Sequence, residues 1–115
     1  MFNKLFLACI SAVILAGCAA TRYTVNPPAQ AELAAAQKRW PSITLNELQN
    51  GHTIYTTKCN KCHGLKNIMK LTESHWDHEI DEMAPKAKLT AEEKETLKKY
   101  IFTVRGMGET KQAAN

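Results

Sequence analysis

The stretch TLNELQNGHTIYTTKCNKCH, residues 44–63, decides how the chain is read. Thr44 followed three residues later by Glu47 fits a capping box, in which each side chain satisfies the other's free backbone N–H. Leu48, Gly51 and Tyr55 then recur at helical spacing, with Leu45 close to their face. An amphipathic helix therefore runs straight into Cys59-Asn60-Lys61-Cys62-His63. Zinc would require about four ligands, usually including a second paired motif, and no second pair follows. A redox dithiol of the thioredoxin kind requires a βαβ setting, and no strand-like alternation precedes Cys59. The pattern C-x-x-C-H is the attachment signature of a c-type haem.

Each residue type in the motif has a chemical use. Cys59 and Cys62 can each form a thioether with one porphyrin vinyl group, and His63 is then held under the iron as its proximal ligand. One covalent haem c is the expected cofactor. The chain holds four cysteines. Cys9 falls in a leader, Cys18 has a separate use, and the other two are consumed by haem. No thiol is left over to mispair in an oxidising compartment.

Residues 1–17 read as a signal peptide. Lys4 supplies the positive start, and residues 5–15 are apolar apart from Ser11. The uncharged run to Ala20 is shorter than the ~20 residues of a spanning helix. Leu15-Ala16-Gly17-Cys18 resembles the bacterial lipoprotein box, which implies cleavage before Cys18 and acylation of that residue. Several acyl chains anchor stably where one is marginal. By the same resemblance, the absence of Asp after Cys18 points to the outer membrane over the inner. The expected location is the periplasmic side of a bacterial envelope, with a lipid anchor in the membrane.

Cleavage there leaves 98 of the 115 residues, enough for one domain. The formal net charge of +4 is mild, and no arginine-rich stripe or RNA-binding signature appears, so nucleic acid is not an expected partner. Residues 19–28 read as an extended tether ending in Pro27-Pro28. Residues 29–39 are alanine-rich and form a short helix, stopped by Trp40-Pro41. Trp40 is either an anchor onto the main domain or an exposed aromatic on a spacer. A last helix begins after Thr90, with Glu93 as capping partner. Leu97, Tyr100, Ile101 and Val104 are its apolar stripe, and Gly106 is expected to end it.

A helix leading into C-x-x-C-H, with Gly51 and Tyr55 on one face, resembles the N-terminal helix of class I cytochromes c. The closing helix with Leu97, Tyr100 and Ile101 resembles their C-terminal helix. The resemblance covers about residues 44–104. It implies an all-α, small cytochrome c-like fold packed around covalent haem, with residues 29–41 as an extra N-terminal helix. It also implies a close crossing of the two helices, with Gly51 and Tyr55 set against Leu97 and Ile101. The expected organisation is a signal peptide at 1–17, a lipid-anchored tether and short helix at 18–43, a cytochrome c domain at 44–106 and a flexible tail at 107–115.

In that family the distal methionine lies between the two landmarks, often beside proline, and Met83-Ala84-Pro85 resembles the arrangement. Met69 follows His63 too closely to reach the opposite haem face, and Met107 lies beyond the last helix. A helix capped by Thr72 over 73–83 places Trp76, Ile80 and Met83 within roughly 60° of one another, a stripe that can face the porphyrin. Ile54 is a further packing candidate. His78 falls on the opposite side, while His75 flanks the stripe and competes with Met83 for the iron. The acids Asp77, Glu79, Asp81 and Glu82 read as the solvated side of this helix.

Lys58, Lys61, Lys66 and Lys70 cluster around the attachment loop, and Lys86 and Lys88 follow Met83. Such a ring steers encounter with an acidic partner; an ordinary solvated surface is the alternative. The resemblance implies a monohaem carrier of single electrons between redox partner proteins, and not an enzyme. Two alternatives stay open: a haem-based small-ligand binder with a displaceable sixth site, and an accessory haem subunit of a larger oxidoreductase. Haem fills much of so small a core, and the haem-free chain is expected to fold poorly.

Overall fold

The computed structural model describes residues 23–61 and 64–115. The described residues form four α-helices, two 3-10 turns and no strand, as an all-α chain requires. The signal peptide and Cys18 lie outside the described residues, as do Cys62 and His63.

Helix α1 spans Gln30–Gln37. The Glu32 carboxylate reaches back to the Ala29 N–H at 2.8 Å and fixes its start. Beyond it the chain turns at Trp40-Pro41 and folds back. Ala36, Ile43 and Leu48 are buried together, with Leu33 and Trp40 against them. The Arg39 guanidinium lies 4.7 Å over the Trp40 ring and 5.3 Å over the Phe102 ring. Trp40 is thus a packing anchor, and α1 is part of the folded body.

Residues 23–28, ahead of α1, do not hang free as the expected tether. Tyr23 and Val25 pack against the main core. The Tyr23 hydroxyl accepts the Ile68 N–H at 3.3 Å. The Val25 carbonyl meets His52 Nε2 at 3.0 Å, and the Pro28 carbonyl accepts Gln49 Nε2–H at 3.4 Å. Extended backbone without internal hydrogen bonds finds its partners on α2 and beyond, as buried backbone must.

Helix α2 spans Leu45–Thr57 and is capped by Thr44, whose hydroxyl accepts the Glu47 N–H at 3.1 Å. Only this half of the expected capping box forms, because the Glu47 carboxylate turns to Lys99 at 2.7 Å. Helix α3 spans Glu73–Lys86, capped by the Thr72 hydroxyl on the His75 N–H at 3.2 Å. Helix α4 spans Ala91–Ala113, and there the box with Thr90 and Glu93 is complete. Gly51 sits where α2 and α4 meet. A Cβ at Gly51 would lie 2.5 Å from Tyr100 Cβ and 2.8 Å from the Thr96 carbonyl oxygen. The close crossing is present, with Thr96 and Tyr100 directly under the glycine and Tyr55, Leu97 and Ile101 sharing the core beside it. The Tyr100 hydroxyl has no hydrogen-bond partner among the described residues, and burial pushes its phenol pKa up.

Helix α3 includes Pro85 in its final turn, where the missing N–H removes one backbone bond, and the helix ends directly after it at Lys86. The Lys88 and Leu89 N–H groups close onto the Pro85 and Ala84 carbonyls at 3.2 and 2.9 Å. This is a Schellman ending, in which Lys88 takes the left-handed position (φ 55°) that glycine usually fills. Lys98 clips α3 to α4 by pairing with Asp77 at 2.6 Å and Asp81 at 2.9 Å, and Lys94 adds Asp81 at 3.2 Å. Asp77 and Asp81 are therefore interhelical partners as well as residues of the wet side.

Gly106 does not end α4, which runs on to Ala113, so the boundary drawn at 106 is corrected. No described glycine takes a positive φ. Tertiary contact holds the extension. A Cβ at Gly108 would run into the Met69 side chain, 2.6 Å from its Cε. Arg105 donates to the Leu71 carbonyl at 2.6 Å and pairs with Glu109 at 2.7 Å. These contacts outweigh the roughly 1 kcal/mol that a helical glycine costs.

Candidate functional site

The core of Ile54, Tyr55, Ile68, Trp76, Ile80, Leu97, Tyr100 and Ile101 opens on one side into a narrow apolar cleft. The end of α2 and the residues after it supply Tyr55, Lys58 and Cys59, α3 supplies Trp76, Ile80 and Met83, and α4 supplies Leu97 and Ile101. Leu65 and Leu89 close the remaining sides.

Cys59 reaches the cleft because α2 ends at Thr57 and the chain tightens into the 3-10 turn Cys59–Lys61. Its thiol is half-buried, and burial pushes its pKa from 9.0 up to about 11. The thiol thus stays protonated at neutral pH. Across the cleft, Trp76, Ile80 and Met83 face inward as one stripe, with Ala84 and Ala87 continuing it. The stripe read from the sequence is real. The Trp76 indole N–H donates to the Ile68 carbonyl at 2.8 Å, which fixes the ring as a wall. The Tyr55 hydroxyl donates to the Lys66 carbonyl, pinning the loop after the motif against α2.

Other candidates fall elsewhere. Ile54 is buried in the core but is not part of the cleft wall, since it lies about 100° round the helix from Tyr55. His75 is exposed, its Nδ1 2.8 Å from the Thr72 hydroxyl at the start of α3. His78 faces solvent and pairs with Glu82 at 3.3 Å. Neither histidine reaches the cleft, and Met69 lies against Gly108. Met83 is the one thioether on the cleft wall among the described residues.

Two ion pairs border the cleft. Lys58 holds Glu93 at 2.6 Å, and Lys66 holds Glu79. The Lys58 hydrogen bond is the main cause of a lowered Glu93 pKa. Glu79 is therefore a rim residue, not part of the solvated side. Its sequence neighbours hid this, because its partner comes from a loop thirteen residues earlier. Lys61, Lys86 and Lys88 are exposed, away from the cleft wall. Leu97 and Ile101 were readable as an apolar stripe, but nothing local showed that their face would border a cleft.

The lining chemistry, carbon walls with one thiol and one thioether, is of the kind a porphyrin requires. A flat apolar macrocycle needs carbon walls, and here they bring together a thiol that begins the motif and a neutral thioether. No group of three or more His, Cys, Asp or Glu among the described residues could hold a bare metal ion, and no described helix is long and apolar enough to cross a membrane. Compared with known protein families, curated proteins and solved structures, the chain finds no match.

Proposed function

We propose that the chain is a lipid-anchored monohaem c-type cytochrome of the class I kind, carrying single electrons between redox proteins of a bacterial envelope. The observation that carries this reading is the apolar cleft that joins Cys59, the first residue of the C-x-x-C-H motif, to Met83. Cys59 and Cys62 would attach the porphyrin, and His63 and Met83 would hold its iron. Bound haem supplies a one-electron Fe(III)/Fe(II) couple.

The chain's own residues tune and protect that couple. A thioether at Met83 would favour the reduced iron and raise the potential relative to imidazole. Trp76, Ile80, Leu97 and Ile101 exclude water, which disfavours the more highly charged state. Tyr55 and Trp76 hold the loop that follows His63, through Lys66 and Ile68. With Met83 holding the iron, no position would be left open for substrate, so the proposed role is transfer and not catalysis.

Lys58 and Lys66 are committed to Glu93 and Glu79. Steering of an acidic partner falls instead to Lys61, Lys86 and Lys88, which form no ion pair among the described residues. Electron-transfer rates are expected to fall steeply with ionic strength; salt-independent rates would remove this assignment.

The visible spectrum of protein matured with a c-type attachment system tests the proposal. Covalent low-spin haem with the weak far-red band of methionine–Fe(III) is the expected result. Met83→Ala is expected to lower the potential and admit carbon monoxide to the reduced iron. An unchanged spectrum and potential in that variant removes Met83. Absence of covalent haem overturns the whole reading.

A further inference from the structure

The packed N-terminal segment limits where the cleft can work. This inference rests on the proposed acylation of Cys18. Tyr23 is already part of the body, held at the Ile68 N–H, and Val25 and Pro28 are bound in turn. Only residues 19–22 separate Cys18 from Tyr23. Five residue steps span at most roughly 17 Å when fully extended. The body therefore cannot swing away from the membrane that takes the acyl chains.

We propose that the face around Tyr23 and the 3-10 turn Ile68–Lys70 lies against the lipid bilayer, so that the cleft serves only partners at that membrane surface. The turn is the anchoring point, since Ile68 holds Tyr23 through its N–H and Trp76 through its carbonyl. Lys66, on the cleft wall, is two residues away. The cleft and the membrane attachment thus share one short segment. Charge agrees with this orientation. Arg22 in the linker and exposed Lys70 on the turn carry the sign that an anionic leaflet attracts. A partner dissolved elsewhere in the compartment would have to come to the membrane, because this protein cannot go to it.

The test is lysine reactivity in the full acylated, haem-loaded protein on vesicles of phosphatidylethanolamine and phosphatidylglycerol. A water-soluble acetylating reagent is applied, and each lysine is followed by mass spectrometry. The comparison is a variant with twelve Gly/Ser residues inserted between Ala20 and Thr21. Lys70 is expected to react at least threefold more slowly in the native chain than in the lengthened one. Lys86, one helix of about 21 Å further along, serves as reference and should react alike in both. Equal Lys70 rates in the two chains, with both floating on the vesicles, overturn the orientation alone. Failure to float overturns the acylation and the orientation together. Protection of Lys70 in the leaderless soluble form that grows with protein concentration would assign the face to a second copy instead.

Discussion

Gly51 shows how one missing side chain sets the frame. The backbones of α2 and α4 meet there, and a methyl group would press on Tyr100 Cβ at 2.5 Å and the Thr96 carbonyl at 2.8 Å. Neither neighbour is the free end of a flexible side chain, so helix axes must shift. Gly51→Ala is expected to destabilise the protein by about 1–3 kcal/mol, despite the better helix propensity of alanine. Denaturant unfolding of the haem-loaded protein measures this, and a stabilised variant would contradict the crossing. Gly51 was readable in the sequence because it stands at helical spacing with Leu48 and Tyr55. Its partners were not, because Thr96 and Tyr100 lie more than forty residues later.

Helix starts were readable because capping is local. Thr44, Thr72 and Thr90 each accept an N–H from three residues ahead. The misread parts depend on distant residues: Met69 on Gly108 prolongs α4, Lys99 draws Glu47 from its cap, and Ile68 holds Tyr23. The packing of α3 on α4 also depends on pH. Hydrogen bonds from Lys98 and Lys94 hold the Asp81 carboxyl below its usual range. A carboxyl depressed in the folded state stabilises it above the unfolded pKa of about 4, and the stabilisation is lost as pH falls through the folded value. The melting temperature is therefore expected to drop below about pH 4, while Asp81→Asn shows a shallower drop. Thermal melts of both proteins across pH 2–7 check this; parallel curves would exclude Asp81 as a contributor.

Across the whole molecule, much of the core is cleft wall. Tyr55, Trp76, Ile80, Leu97 and Ile101 belong to both. A chain this small has little other apolar surface to bury. The haem-free protein is expected to lack a cooperative thermal transition, and the haem-loaded protein to show one. Near-ultraviolet circular dichroism during heating reports the difference, and a sharp melt of the haem-free chain would contradict it. The candidate site was half readable from sequence. The motif and the Trp76–Met83 stripe are local patterns, whereas the rim pair of Lys66 and Glu79 exists only once loop and helix have met.

The crossing at Gly51 also imposes an order of events. Contact between Gly51 and Tyr100 closes a loop of about fifty residues, and such closures are slow compared with forming α2 alone. The attachment motif lies inside that loop. Before closure both thiols are open to an attachment enzyme; afterwards Cys59 is half-buried with its thiol held protonated. Were the chain to take haem as proposed, this topology would favour covalent loading before the crossing closes, with the final helix packing over the cleft afterwards.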